Sequence, residues 1–347
     1  FFRNSACLAC GSALGYDPQR QALLPIEPDG GAWWKAADGT PGRYRRCAEL
    51  ETASGCNWLL GEDEPRSGTS WQCRCCRLLR TRPDLSLAGN GAHFNKIELA
   101  RRRLVSALLG LGLPVRSRVF EDPAQGLAFD VLRADPGGPP VITGHADGLI
   151  TLDLEEADDA LREQRRATLN EPYRTLLGHL RHESGHYYWQ RLVEPDAACL
   201  AAWRERFGDE RADYRAALQA YHAQGAPADW NTRHVSAYAS AHPWEDWAET
   251  WAHYLHLSDT LDTARSFGLD GAGVELGYEP FEASVLGEDA ADAQPFLALI
   301  RAWMELTGVL NELSRSMGVN DFYPFVLSAE AVRKLHFVHR VVTQAPG

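Results

Sequence analysis

Two histidines and a glutamate lie close together near the middle of the chain, in the segment His182-Glu183-Ser184-Gly185-His186. Residues four apart share one face of an α-helix, so the imidazoles of His182 and His186 can point at one metal ion. Glu183 lies beside them, where its carboxylate can take a proton from water activated by the metal. The spacing therefore predicts a zinc site that carries out hydrolysis. The alternative is an ordinary helix with three unrelated polar residues.

A second group of candidate ligands begins 59 residues after His186. A catalytic zinc ion needs three protein ligands and one open position. Glu245 and Glu249 are one helical turn apart, so a second helix could present either of them, or both could merely complement the positive end of that helix. This helix is predicted to begin after Pro243 and to bury one face. The residues on that face are Trp244, Trp247, Trp251 and Leu255.

Seven of the eight cysteines crowd the start of the chain. They are Cys7, Cys10, Cys47, Cys56, Cys73, Cys75 and Cys76. Two pairs, Cys7 with Cys10 and Cys73 with Cys76, have the Cys-x-x-Cys spacing that is typical of a zinc ribbon. Cys47 and Cys56 form a further, separated pair, so six suitable thiols exceed the four that one zinc ion needs. We expect one or two structural zinc ions.

Two arrangements of these ligands are open. In one, a single ion is bound by Cys47, Cys56, Cys73 and Cys76. The first Cys-x-x-Cys pair then needs an upstream pair before Phe1, which is not an initiator Met and indicates a removed leader or a missing start. In the other, the two Cys-x-x-Cys pairs form one ribbon, and Cys47 and Cys56 stay free or pair with each other. Cys75 and Cys199 are not expected to bind metal.

Around these residues the hydrophobic pattern predicts a mostly α-helical α+β fold. Apolar residues from Ile97 to Leu109 recur at helical spacing up to Gly110, and Pro114 marks a stop. Alternation of apolar and polar residues predicts a short β-hairpin at about 140–154. Further helices are predicted at residues 157–168, 171–192, 196–206, 210–223, 244–257, 290–316 and 328–342.

Composition divides the chain near residue 85. Residues 1–84 are rich in Gly, Trp and Cys and nearly balanced in charge, whereas residues 85–347 are strongly acidic. We expect a Cys-rich zinc module followed by a helical domain, with a linker at residues 80–91. Metal binding would supply much of the folding free energy of the Cys-rich module. A short basic run is expected to be a solvated face, because it lacks the aromatic interleaving that suits a nucleic-acid strand. It comprises Arg74, Arg77, Arg80 and Arg82.

The composition of the whole chain narrows the functional class. A net charge of −12 over 347 residues argues against bulk nucleic-acid binding. The longest apolar runs, such as residues 106–115, fall well short of the roughly 20 residues of a membrane span. Unevenly clustered cysteines are more typical of metal binding than of secreted disulfides, which predicts a reducing, cytoplasmic location. An acidic protein that is monomeric or weakly associating fits these features.

The motifs resemble known families. The His-Glu-x-x-His motif with a downstream Glu resembles the gluzincins, and Tyr238 seven residues before Glu245 resembles the subgroup that includes anthrax lethal factor. More closely, nearly the whole chain resembles the bacterial "putative zinc-binding metallopeptidases" with an N-terminal zinc ribbon. Besides the Cys-rich start, this resemblance is carried by Cys56-Asn57-Trp58-Leu59, Arg82-Pro83-Asp84-Leu85-Ser86, Thr143-Gly144-His145, residues 182–189 and residues 242–249.

This resemblance implies a gluzincin-like catalytic domain and assigns roles within it. His182 and His186 would be zinc ligands, Glu183 the general base and Glu245 the third ligand. Glu249 would then accept the outer N–H of a ligand histidine and fix its tautomer. The other candidates for the third ligand are Glu249 itself, Asp246, His242 and His253.

Three further residues have weaker assignments. Tyr238 would donate a hydrogen bond to the oxyanion of the tetrahedral intermediate, or would be a half-buried aromatic residue. His145 lies where gluzincins have an edge strand that pairs with an extended peptide, so it could touch substrate, or it is a surface residue beside a turn. His179, one turn before His182, is expected to pack or be solvated rather than bind metal.

Together these features predict a zinc metallopeptidase that hydrolyses peptide or isopeptide bonds of a peptide or protein substrate. It would hold one catalytic zinc ion besides the structural ones. The alternative is a zinc-stabilised adaptor that binds a protein partner and has a non-catalytic helical domain. A catalytic site keeps an open coordination position in a cleft, whereas a scaffold fills or buries it.

Overall fold

The computed structural model describes residues 2–135, 137–169, 175–269, 274, 277 and 281–345. The chain divides into two compact units, Phe1–Leu180 and Arg181–Ala345. Every strand of the described residues lies in the first unit, whereas the second consists of helices and their connections. The expectation of a mainly helical α+β chain is therefore confirmed at this level. The domain boundary proposed near residue 85 stays a prediction.

The first unit begins with a five-stranded antiparallel sheet whose strands follow one another in chain order. The strands are β1 (Leu14–Asp17), β2 (Ala22–Pro28), β3 (Trp34–Ala36), β4 (Arg43–Arg46) and β5 (Leu59–Gly61). One face of the sheet packs on a small core made of Leu24, Ile26, Ala36, Tyr44 and Leu59. The sequence analysis predicted no strand here, because strands of three to seven residues carry too little alternation.

A second sheet in the same unit has four strands in the order β6-β7-β9-β8. They are β6 (Leu79–Thr81), β7 (Ala128–Leu132), β8 (Gly144–Ala146) and β9 (Leu149–Asp153). The segment predicted as a hairpin contains β8 and β9, which pair antiparallel across Asp147 and Gly148. Both turn residues have positive φ, as a tight Asp-Gly hairpin turn requires. The linker predicted at residues 80–91 is wrong in part, because β6 contains Arg80 and Thr81 and pairs with β7.

Each predicted helix overlaps an observed one, although residues 171–174 of one prediction lie outside the described residues. The helices are α1 (Asn90–Gly110), α2 (Asp159–Leu169), α3 (Leu176–Tyr188), α4 (Ala197–Phe207), α5 (Tyr214–Gln224), α6 (Trp230–Arg233), α7 (Pro243–Ser266), α8 (Ala293–Ser316) and α9 (Ala329–Thr343). Within the described ranges, none of them combines the length and apolar composition needed to cross a membrane.

Helix α7 is the central element of the second unit. It starts where predicted, with Pro243 in the first turn and the His242 imidazole accepting a hydrogen bond from the Trp244 amide at 3.1 Å. Its predicted inward face is fully buried at Trp247 and Trp251. The indole N–H groups of these two tryptophans reach α3, where they bond to the Gly185 carbonyl at 2.8 Å and the Ser184 hydroxyl at 3.1 Å. These contacts fix α3 against α7.

Candidate metal centres

Helices α3 and α7 bring two imidazoles and one carboxylate together. His182 Nε2 lies 3.0 Å from Glu245 Oε2, and His186 Nε2 lies 3.7 Å from Glu245 Oε1. One ligand atom from each of the three residues lies within 4.8 Å of the others. Zinc bonds of about 2.0–2.1 Å at tetrahedral angles would separate such atoms by about 3.3 Å. The set therefore has the donor types and the dimensions of a zinc site.

The Glu245 carboxylate fits a cation better than it fits its present neighbours. Its side chain is 1% exposed, and Oε2 accepts no hydrogen bond from the described residues even though His182 is near. A buried carboxylate oxygen without a donor is unfavourable unless a cation compensates it. This oxygen is the one that lies 3.0 Å from His182 Nε2.

Glu249 contacts the opposite side of one candidate ligand. Its Oε1 lies 2.7 Å from His182 Nδ1, and its Oε2 accepts a hydrogen bond from the Ser236 hydroxyl at 2.6 Å. Both oxygens are thus engaged away from Glu245. This geometry matches a carboxylate that fixes the tautomer of a metal-binding histidine.

The electrostatics of the two histidines differ. Burial lowers the pKa of His186 to about 4, which favours the neutral imidazole that binds metals. Burial opposes the charge on His182 as well, but the carboxylates of Glu245 and Glu249 outweigh it and raise the pKa of His182 well above its usual value. A proton on His182 and a cation in the centre are alternative ways to balance these carboxylates.

Two tyrosines and the candidate base surround this cluster. The Tyr214 hydroxyl, on α5, donates to Glu245 Oε1 at 2.6 Å. The Tyr238 ring centroid lies 5.9 Å from that of His182, and its hydroxyl has no hydrogen-bond partner among the described residues. Burial and the charge of Glu245 raise the pKa of both tyrosines, so both hydroxyls stay protonated. Glu183 is buried on α3 between the two candidate histidines.

Sequence reasoning missed Tyr214 and Ser236. Each lies on a different segment from the residue it holds, and neither belongs to a recognisable motif. The one local signal is Asp213, whose side chain caps α5 by accepting from the Ala216 amide at 3.0 Å. This signal identifies the start of the helix but gives no reason to connect Tyr214 with Glu245.

The other candidates for a third ligand are engaged elsewhere. Asp246 Oδ2 accepts from Lys334 Nζ at 2.6 Å, and the His242 imidazole caps α7. His253 Nδ1 lies 2.6 Å from the Tyr323 hydroxyl. Among the described residues, none of these three belongs to a group whose ligand atoms lie close enough together to bind one metal ion.

Two further histidines that the sequence analysis considered lie in the first unit. His179 Nδ1 lies within hydrogen-bond distance of Glu156 Oε2, at 2.7 Å, and His179 is not part of the group formed by His182, His186 and Glu245. His145 is in β8, and its Nε2 accepts a hydrogen bond from the Gly148 amide at 2.9 Å. A substrate contact of His145 stays a prediction.

Four buried thiols in the first unit form a second group that could bind one metal ion. Its members are Cys47, Cys56, Cys73 and Cys76. The sulfurs of Cys56 and Cys73 are 3.6 Å apart, close to the roughly 3.8 Å expected for two sulfurs bound to zinc at about 2.3 Å. The Cys76 amide points at the Cys73 sulfur at 3.5 Å, as in a zinc knuckle. These four buried thiols fit one zinc ion.

This grouping corresponds to the first of the two arrangements considered from the sequence. Cys7 and Cys10 are not members of the group, and Cys10 is exposed. Cys75 and Cys199 are outside it as well. A separate site that includes Cys7 and Cys10 stays a prediction.

The basic run next to these cysteines is not the uniformly solvated face that was expected. Arg77 is buried and contacts the carboxylates of Glu64 and Glu121 at 2.9 and 3.0 Å. The other three arginines of the run also pair with carboxylates of the same unit, namely Arg74 with Glu64, Arg80 with Asp130 and Arg82 with Glu49. Because acidic residues distant in sequence neutralise these charges, the run is not available as a basic patch.

Comparisons with known proteins indicate zinc-binding families. A family model described as "Putative zinc-binding metallo-peptidase" matches residues 90–341, and a model described as a zinc-ribbon domain matches residues 1–87. Uncharacterised proteins of Mycobacterium bovis and Mycobacterium tuberculosis are 44% identical to the chain over 343 residues, which cover 99% of this chain and 92% of each relative. No solved structure matches the chain.

Proposed function

The chain belongs to the family described as "putative zinc-binding metallo-peptidase", and on that premise we propose that it hydrolyses peptide or isopeptide bonds. The zinc ligands would be His182, His186 and Glu245. The observation that carries the proposal is the buried Glu245 carboxylate, which lies within 3.0 and 3.7 Å of the two imidazoles. Two histidines of one helix and a glutamate of a second form a gluzincin-like ligand set, similar to that of the anthrax lethal factor type.

The residues around the ligands divide the chemistry between them. When bound, zinc supplies a Lewis acid that polarises water and the substrate carbonyl. Glu183 would take the proton of the attacking water on its carboxylate and pass it to the leaving nitrogen. Glu249 would accept a hydrogen bond from Nδ1–H of His182, which directs the Nε2 lone pair of that ring into the centre.

The tyrosines have separate tasks in this scheme. Tyr238 would donate a hydrogen bond from its hydroxyl to the oxygen on which negative charge develops. Tyr214 would hold Glu245 by Oε1, so that Oε2 stays directed at His182. The raised pKa of each hydroxyl supports both roles, because each must act as a donor at neutral pH.

The test combines metal analysis with an activity assay on the full chain. We expect zinc by mass spectrometry and hydrolysis of a fluorogenic peptide library by the wild-type protein. Glu183→Gln should keep its zinc content and melting temperature yet lose about 10²–10⁴-fold in rate, because the amide cannot accept the proton. Glu205→Gln, an exposed glutamate on α4, is the matched control and should leave the rate unchanged.

The outcomes separate the alternatives. Unchanged hydrolysis by Glu183→Gln would remove the general-base assignment. Full zinc loading of the wild-type protein without hydrolysis of any library peptide would favour the zinc-stabilised adaptor instead.

A further inference from the structure

We propose that the first unit binds acidic polypeptide segments through alternating arginine and tryptophan side chains on the five-stranded sheet. These side chains, here called the Arg–Trp ladder, are Arg43, Trp33, Arg45, Trp71 and Arg66. Arg43 and Arg45 lie over the Trp33 ring at 4.9 and 3.9 Å from its centroid. Arg45 and Arg66 lie over the Trp71 ring at 4.4 and 5.2 Å.

The ladder lies on the sheet face opposite the small core. Side chains alternate between the two faces of a strand, and Tyr44 of β4 belongs to the core. Its neighbours Arg43 and Arg45 therefore point to the other face. Arg43 and Arg66 are exposed and Arg45 is half-buried, so a partner can reach the ladder from solvent.

Two cations of the ladder lack a carboxylate partner. Arg43 is paired with Asp29 at 2.7 Å, but Arg45 and Arg66 have no ion pair among the described residues. Arg45 Nε is buried without a hydrogen-bond partner, so ring stacking rather than hydrogen bonding orients this guanidinium. Other arginines of the same unit, such as Arg74 and Arg80, are neutralised by glutamate or aspartate. The ladder thus retains positive charge in an otherwise balanced region.

The chemistry of the ladder favours carboxylates. A guanidinium stacked on an aromatic ring keeps its in-plane N–H donors available, and these donors match a carboxylate bidentately. Stacking also fixes the side chain in advance and so reduces the entropy lost on binding. Arg45 and Arg66 lie over the same ring, Trp71, so one short acidic segment can contact both.

The aromatic rings argue against a nucleic-acid strand as the partner. Binding of single strands relies on open aromatic faces on which bases stack. Trp33 and Trp71 each have two guanidiniums over the ring, and two cations on one side would repel each other. The guanidiniums thus already occupy ring surface on which a base would have to stack.

The test measures binding of a fluorescein-labelled dodecapeptide of alternating Glu and Ser to the full chain by fluorescence anisotropy at low salt. We expect saturable binding of this peptide and none of the matching Gln–Ser peptide. Arg45→Gln should weaken binding by about tenfold or more, as the loss of charge-assisted hydrogen bonds predicts. Arg45→Lys should weaken it to a similar extent, because an ammonium keeps the charge but loses the planar fork and the stacking.

Lys35→Gln is the matched control on the same face. Lys35 lies directly across from Arg43 in the sheet and pairs with Glu27, but it lies over no tryptophan ring in the described part of the chain. Its loss should change affinity by less than about twofold. Exposed Arg66→Gln provides a second variant with little risk to folding, and unchanged zinc content and melting temperature verify that each variant folds.

Two results would overturn the proposal. If Arg45→Lys binds the acidic peptide as tightly as the wild-type protein does, binding depends only on diffuse electrostatic attraction. If a labelled oligothymidylate binds more tightly than the acidic peptide, the partner is a nucleic acid. Glu183→Gln should bind the peptide as the wild-type protein does. A failure of the proposed peptidase activity therefore leaves this result intact, and the converse also holds.

Discussion

At the scale of single residues, the centre on α3 and α7 separates two glutamates that lie one turn apart on the same helix. Glu245 faces Nε2 of His182, whereas Glu249 contacts Nδ1 of the same ring at 2.7 Å. Helical periodicity alone does not distinguish the two carboxylates, because residues four apart lie on the same face of a helix. Their different contacts arise because Tyr214 and Ser236, on other segments, each hold one of them.

We predict that the two glutamates respond differently to removal. Glu245→Ala takes away one of three proposed protein ligands and should release zinc at modest chelator concentrations. Glu249→Ala should weaken zinc affinity by only about 10 to 100-fold, because it loosens a ligand without removing one. Titration against a chromophoric chelator measures both, with Glu205→Ala as the control. The reverse order would identify Glu249 as the ligand.

At the scale of elements, the site depends on the close approach of α3 and α7. A Cβ atom at Gly185 would lie 2.9 Å from the Ala248 Cα and 3.2 Å from the Trp251 side chain. The helices can therefore approach this closely only because α3 has no side chain at this point. His186 is the next residue, so the packing distance also sets how near its ring lies to Glu245.

We expect Gly185→Ala to destabilise the second unit by about 1–2 kcal/mol. The clash is with backbone and costs about 1–3 kcal/mol, of which the better helix propensity of Ala returns up to about 1 kcal/mol. Zinc affinity should fall as well, because α3 must shift away from α7. Denaturant unfolding measures the first effect and chelator titration the second.

The matched control is Gly308→Ala on α8. A Cβ at Gly308 meets no atom within 4 Å, so only the propensity gain of up to about 1 kcal/mol should remain. If both substitutions stabilise the protein equally, the close approach of α3 and α7 does not limit residue size.

At the scale of the whole molecule, the two candidate metal centres belong to different compact units. The four cysteines lie within Phe1–Leu180, and the histidines and glutamate lie within Arg181–Ala345. Each centre joins segments distant in sequence but internal to one unit. Metal bound in one centre should therefore stabilise its own unit most.

We predict that Cys73→Ser lowers zinc stoichiometry and unfolds the five-stranded sheet while the helices of the second unit persist. Metal binding supplies much of the folding free energy of small zinc modules, so loss of one thiolate removes it. Cys199→Ser, at a half-buried cysteine outside this group and in the second unit, should change neither quantity. Zinc analysis and hydrogen exchange distinguish the two variants. Equal zinc content in both would exclude the four-cysteine site.

The sequence by itself determined the features that repeat locally. Every predicted helix has an observed counterpart, because apolar residues at helical spacing report directly on which face is buried. The pairing of His182 with His186 follows from the same period, and their ring centroids are 5.0 Å apart. The clustered cysteines likewise predicted a metal-binding module, although the sequence pattern predicted none of its strands.

Only the tertiary structure decided which distant residues meet. It distinguished Glu245 from Glu249, and it selected one of two cysteine arrangements. It also interleaved Arg45 with Trp33 and Trp71, although the sequence shows no such alternation. The physical reason is that periodicity records a residue's burial, whereas the identity of its partner depends on how separate elements pack. Short strands and contacts between segments leave no periodic trace, so they become visible only once the chain has folded.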